Sequence, residues 1–69
     1  MNLHFIAIGG SAMHSLAIAM DRLGHKVSGG DDSIFEPSKS NLKNAGLLPP
    51  SLGWFPKRIN LEIDIVILG

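Results

Sequence analysis

Leu3-His4-Phe5-Ile6-Ala7-Ile8-Gly9-Gly10-Ser11-Ala12-Met13 runs from an apolar stretch, through two glycines, into a helix-period pattern. Strand, glycine turn and helix N-terminus is an arrangement that holds a phosphate. The turn brings backbone N–H groups close to the anion, and the helix end adds unpaired donors and partial positive charge. A side chain at Gly9 or Gly10 would obstruct that approach, and so tight a turn is expected to use φ > 0 there. This stretch marks the ligand-binding end of the chain.

Around it, the pattern is that of an α/β protein. A first strand is expected from Asn2 to Ile8, apolar almost throughout, as in a parallel sheet covered on both faces. A helix follows from Ser11 or Ala12 to Leu23, with Ser11 as N-cap and Gly24 just past its last turn. Met13, Leu16, Ala17, Met20 and Leu23 recur at helical spacing and are expected to form its core face, the methionines being core rather than cofactor contacts. Lys26-Val27-Ser28-Gly29 reads as a second strand ending in Gly30-Asp31-Asp32. Ser33 to Ser38 is a loop, Pro37 suits the first turn of a second helix over Ser38–Ala45, and Gly46 can close it.

Leu47 to Asn60 is irregular, with Pro49, Pro50, Gly53 and Pro56 as breakers and a brief edge strand expected over Ser51–Trp54. Trp54 and Phe55 are expected to cover the sheet edge or the second helix, with ligand stacking by Trp54 as the alternative. Ile63 to Leu68 is a last apolar strand, suited to a buried parallel position beside the first. The fold class is therefore α/β, a Rossmann-like parallel sheet with flanking helices in the order β-α-β-α-β.

Composition excludes several functions. The six basic and six acidic residues cancel and form no basic cluster, so neither a nucleic acid nor another polyanion is an expected partner. Cysteine is absent, and His4, His14 and His25 lack metal-ligand spacing, so no metal site is expected. Residues 5–20 imitate a signal peptide, but no Lys or Arg precedes them and Gly9, Gly10 and His14 interrupt them. No stretch reaches the roughly 18–20 apolar residues of a membrane span. The expected location is cytoplasmic, with no membrane partner. At 69 residues, 45% of them hydrophobic and with a mean hydropathy of +0.24, the chain is rich for a small stand-alone domain. We expect an incomplete domain whose last strand leaves an apolar edge open to self-association.

The dinucleotide pattern G-x-G-x-x-G maps onto Ala7-Ile8-Gly9-Gly10-Ser11-Ala12, and only its middle glycine is kept. An acid, Asp31, does stand about 20 residues beyond, at the end of the second strand, where a β-α-β unit brings it beside the glycine turn. On spacing alone, a purely structural strand-to-helix turn and an NAD(P)-dependent oxidoreductase both remain open.

His4-Phe5-Ile6-Ala7-Ile8-Gly9-Gly10-Ser11-Ala12-Met13, followed by Val27-Ser28-Gly29-Gly30-Asp31, resembles the opening of the Mur ligases. It is most similar to the UDP-N-acetylmuramate ligases, whose first domain begins H-F-x-G-I-G-G-x-G-M and continues V-S-G-S-D. The chain departs from them at Ala7, Ala12 and Gly30, where that family often has Gly, Gly and Ser, which bears on the fine geometry of the turn. Two branches compete, one adding L-alanine and the other the recycled tripeptide L-Ala-γ-D-Glu-meso-diaminopimelate. The stretches from Asp31 to Ser38 and from Asp64 to Gly69 resemble the recycling branch.

The resemblance implies an ATP- and Mg2+-dependent ligase. ATP phosphorylates the muramoyl carboxylate, and an amine attacks the acyl phosphate to form an amide. It also implies that residues 1–69 are the UDP-substrate-binding part, incomplete, with the ATP-binding and C-terminal domains outside it. No catalytic residue is expected here, and no cofactor bound by this stretch alone. The backbone N–H groups of Gly9, Gly10, Ser11, Ala12 and Met13 would face the diphosphate of UDP-N-acetylmuramate. Asp31, or else Asp32, would accept from the uridine ribose or base. His14, one turn into the helix, either approaches a phosphate or is simply solvated, and His4 and His25 are structural or exposed.

Overall fold

In the computed structural model, which describes residues 1–69, Asn2–Ile6 forms the central strand β1. The chain continues through helix α1 (Ser11–Arg22), strand β2 (Lys26–Gly30), helix α2 (Ser38–Asn44), a short 3₁₀ turn (Pro56–Arg58) and strand β3 (Ile65–Leu68). The sheet is parallel, in the order β2-β1-β3. In register, Leu3 stands opposite Val27 and Ile65, and Ile6 opposite Gly30 and Leu68. The expected β-α-β-α-β order and the place of the last strand beside the first are both present.

Alternation along β1 sends Leu3 and Phe5 to one face. There they meet Ala17 of α1, Leu42 of α2, Ile34 and Ile8, which together are the buried hydrophobic core. Both helices therefore cover this one face. A core of six residues is small, so each loss of a buried methylene weighs heavily. Glycine lets the layers close: a Cβ on Gly29 would lie 2.7 Å from Ile8 Cδ1 and 2.8 Å from the Phe5 carbonyl oxygen.

The other face of β1 carries His4, which is also buried. Its Nδ1 lies 2.9 Å from the hydroxyl of Ser28, its partner in register. The first strand is thus covered on both faces, as its apolar run suggests. Burial in the first place, and the Arg58 guanidinium in the second, hold the His4 pKa below its ordinary 6.5.

Both helices end in the same way. Gly24 and Gly46 take positive φ (96° and 76°), and each is flanked by a crossed pair of bonds. His25 N–H donates to the Met20 carbonyl and Gly24 N–H to that of Asp21; Leu47 N–H donates to Leu42 and Gly46 N–H to Lys43. At the start of α2, the Glu36 carboxylate accepts from the Ser40 N–H (2.7 Å) and hydroxyl (2.6 Å), satisfying a free donor of the first turn. Asp64 fixes β3: its carboxylate accepts from Asn2 N–H at 2.7 Å while its own N–H donates to the Asn2 carbonyl at 2.8 Å.

Several expectations need correction. β1 stops at Ile6 rather than Ile8, because Ala7 turns into the left-handed region at φ 63°. The buried face of α1 is rotated from the expected one. His14 and Ala17 are buried and Met13, Ile18 and Met20 pack against the core, whereas Leu16 is exposed and Leu23 is 71% exposed. The cause is α2, which packs beside α1 and draws His14 inward. Ser11 is not the N-cap; Gly10 is, and no side chain caps the helix. Pro37 is likewise the N-cap of α2 and precedes its first turn. Ser51–Trp54 forms no strand, since no neighbouring strand pairs with it. β3 begins only at Ile65 and is an edge, with Ile65, Val66 and Leu68 exposed rather than buried. No helix is long and apolar enough to cross a membrane.

Two measurements follow from β1. The folded state disfavours protonation of His4 while the unfolded chain does not, so this stability is complete above pH 6.5 and is lost as the pH falls below it. Urea unfolding from pH 7 to 5 should show His4→Gln with a shallower decline than the parent, by up to about 1.4 kcal/mol per pH unit. Equal slopes would contradict the assignment. At Ala7, left-handed φ costs an L-residue about 1–2 kcal/mol, of which glycine's freer unfolded chain takes back about 0.5–1. Ala7→Gly should therefore raise stability by about 0.5–1 kcal/mol, and a melting temperature that falls would show that Ala7 is unstrained.

Candidate functional site

At the carboxyl end of β1, four residues reverse the chain into α1. Gly10 N–H donates back to the Ala7 carbonyl at 3.1 Å, and Ile8 N–H carries the ladder one step further to the Gly30 carbonyl. Gly9 N–H donates to the Asp31 carboxylate at 2.9 Å. The acid at the end of β2 is therefore beside the glycine turn, as the β-α-β spacing suggests, and it holds that turn directly.

The two glycines serve different purposes. Neither takes a positive φ; that conformation belongs to Ala7 instead, the position at which the dinucleotide pattern has its first glycine. Gly9 is required by packing, because a Cβ there would lie 2.8 Å from Ile34 Cγ1 and 2.9 Å from Asp31 Oδ2. Gly10 has φ −59°, and a Cβ would meet nothing nearer than the Ala7 carbonyl oxygen at 3.4 Å. Nothing inside the chain demands glycine at position 10.

Beyond Gly10 the helix opens without a cap. Its first turn holds no acidic residue, and the N–H groups of Ser11, Ala12 and Met13 find no acceptor in the protein. Gly9 and Gly10, also expected to offer N–H groups, spend theirs on Asp31 and Ala7. Ser11 and Ala12 are exposed, so the free donors face solvent at the positive end of the helix dipole.

Beside the turn lies a cleft of about 230 Å³, lined by Ile6, Ala7, Gly30, Asp31, Asp32, Gly53 and Trp54. Its position, outside the carboxyl ends of β1 and β2, is where open parallel sheets bind ligands. Asp31 Oδ2 is taken by Gly9, and its other oxygen lies 3.5 Å from Ser33 N–H. Asp32 is exposed and makes no hydrogen bond. Trp54 lines this cleft instead of covering the second helix, and Phe55 packs under the Arg58 guanidinium, 4.2 Å from the ring centre.

His14 neither approaches solvent nor points a free nitrogen at the turn. It is buried between the helices, with Nδ1 3.0 Å from both the Gly10 carbonyl oxygen and the Ser38 hydroxyl, and Nε2 3.3 Å from the Asn41 amide nitrogen. Because a carbonyl only accepts, Nδ1 carries a proton, and Nε2 accepts from Asn41. His14 thus braces the glycine turn against α2. No sequence signal marks this role, since its partners stand on another helix. His4 is structural, and His25 takes the N-terminal amino group of Met1 at 3.1 Å.

The family model for the Mur ligase family, catalytic domain, matches residues 2–48. The UDP-N-acetylmuramate–L-alanine ligase of Streptococcus thermophilus is 35% identical over 63 residues, covering 91% of this chain and 14% of that protein. The UDP-N-acetylmuramate–L-alanyl-gamma-D-glutamyl-meso-2,6-diaminoheptandioate ligase of Escherichia coli is 30% identical over 69 residues, all of this chain and 15% of its own length. Among solved structures, a murein peptide ligase from Psychrobacter arcticus superimposes with a TM-score of 0.86 at 33% identity, over 100% of this chain and 14% of that one. The chain therefore spans about one seventh of the length of these relatives and, with its strand, glycine turn and helix matched end to end, belongs to the Mur ligase family.

Proposed function

We propose that residues 1–69 are the N-terminal, UDP-substrate-binding part of a cytoplasmic Mur ligase that takes UDP-N-acetylmuramate as its small-molecule substrate. The observation that carries this reading is the uncapped start of α1, where three N–H groups without acceptors follow a glycine that the fold itself does not need. The free donors of Ser11, Ala12 and Met13 bind the diphosphate, and Gly10 keeps its approach clear. Gly9 contributes by holding the turn in place. The nucleoside lies towards the acids, where Asp32 and the less occupied oxygen of Asp31 accept from ribose hydroxyls or the base N–H. Family membership favours a UDP-sugar over a dinucleotide for this site.

ATP and Mg2+ belong to the domains outside this chain, which contains no G-x-x-G-K-[ST] pattern. Residues 1–69 supply no catalytic group. They anchor the UDP handle, so that binding energy far from the reacting carboxylate becomes orientation at it. The second substrate we assign is the tripeptide L-Ala-γ-D-Glu-meso-diaminopimelate, supported by the whole-chain match to the Escherichia coli ligase and to the murein peptide ligase structure. L-alanine is the second reading, favoured by the 35% identity to the streptococcal ligase.

Calorimetric titration with UDP-N-acetylmuramate tests the glycine turn. Gly10→Val should weaken binding by roughly tenfold or more, the worth of one charge-assisted hydrogen bond, while thermal unfolding stays close to that of the parent. Gly9→Ala, which collides with Ile34 and Asp31, should instead lower the melting temperature. An unchanged dissociation constant for Gly10→Val would remove the diphosphate from this turn.

The acids separate by a second ligand. Asp32→Ala should weaken UDP by about 1–3 kcal/mol and leave inorganic pyrophosphate unaffected, because only the nucleoside reaches it. Asp31→Ala, which also releases Gly9, should weaken both ligands. Equal loss of both ligands in Asp32→Ala would place that residue in the turn instead.

A further inference from the structure

Trp54 is the one tryptophan in the chain, and it is 57% exposed. Its exposure is not that of a loose loop. Gly53 N–H donates to the Asp31 carbonyl at 2.8 Å, so the turn carrying Trp54 is bonded to the end of β2. Gly53 has φ 125°, a conformation that side-chain-bearing residues rarely adopt, and its carbonyl oxygen sits 3.6 Å from where a Cβ on Gly30 would be. On the far side, Arg58 donates to the Ser51 hydroxyl at 3.2 Å and stacks over Phe55. The neighbouring aromatic ring thus already has its cation, while the indole of Trp54 has no partner and lines the cleft with Ile6, Ala7 and the two acids.

That combination is chemically specific. The apolar lining of the cleft comes from Ile6 and Ala7 at the end of β1 and from an aromatic ring on a different segment, and its polar groups are carboxylates. A flat, uncharged ring with N–H donors satisfies both, whereas a second phosphate would be repelled by Asp31 and Asp32. Ala7 also begins the turn that ends at the free donors of α1 and lines the same cleft as Trp54, so turn and cleft adjoin. Resting on the UDP-sugar reading above, we propose that Trp54 is the residue on which the nucleobase stacks, and that it closes the outer side of the Asp31 cleft.

Because there is a single tryptophan, its fluorescence reports the contact directly. UDP titrated into the 69-residue chain should quench Trp54 emission, and inorganic pyrophosphate, which lacks the base, should bind without quenching. By calorimetry, Trp54→Ala should bind UDP roughly tenfold more weakly, as expected for loss of a stacked aromatic, with pyrophosphate affinity unchanged. Trp54→Phe keeps a ring face and should recover most of the loss, and circular dichroism establishes that both variants are folded. If the parent binds UDP but Trp54→Ala binds it equally well, or if pyrophosphate quenches as strongly as UDP, stacking on Trp54 is overturned while the diphosphate site stands. If the parent binds pyrophosphate but gains nothing from the nucleoside, the UDP reading and the stacking fail together.

Discussion

The 2.9 Å hydrogen bond from Gly9 N–H to the Asp31 carboxylate is the contact on which the glycine turn depends. It joins the turn after β1 to the end of β2, two points that nothing else holds at that spacing apart from the ladder bond of Ile8 to Gly30. It forms only because Gly9 has no Cβ, which would otherwise collide with the carboxylate that accepts the bond. One layer below, Gly29 does the same for Ile8, whose buried side chain lies against the backbone of β2. Two missing methyl groups thus set how closely the turn approaches the sheet, and hence where α1 begins.

This contact also orders charge along the site. The carboxylate engages the turn at Gly9, while the donors left free belong to the next three residues, at the positive end of the helix. His14 maintains the arrangement from behind, fixing the Gly10 carbonyl to Ser38 and Asn41 on α2. A buried polar side chain with both ring nitrogens hydrogen-bonded is a rigid brace. For a domain with so small a core, such braces carry much of the positional accuracy that a larger interior would otherwise supply.

Much was legible in the sequence. The apolar run before Gly9, the helical spacing after Gly10 and the acid at position 31 are enough to place strand, turn, helix and carboxylate at one end of a parallel sheet. The reason is local: period and turn chemistry depend on neighbours in the chain, and a β-α-β unit leaves its second strand little choice of place. The positive φ at Gly24 and Gly46 was equally readable, each glycine standing just past a helical pattern.

What the tertiary structure decided concerns contacts between segments. The reading of Leu16 and Leu23 as core follows correctly from helical period, but α2 lies beside α1 and buries His14 instead, and a period cannot say which flank a second helix will take. The strain at Ala7 rather than at the glycines depends on how β1 is carried into a turn pinned by Asp31, a residue one whole unit away. Sequence leaves Trp54 either a cover for the sheet edge or second helix or a stacking residue, and the bond of Gly53 to Asp31 is what brings it to the cleft. Sequence by itself determined the order of the main strands and helices, because that order rests on short-range propensity. Which side chains come together around the cleft was decided only by packing, because burial and hydrogen bonding act between residues that the chain order keeps apart.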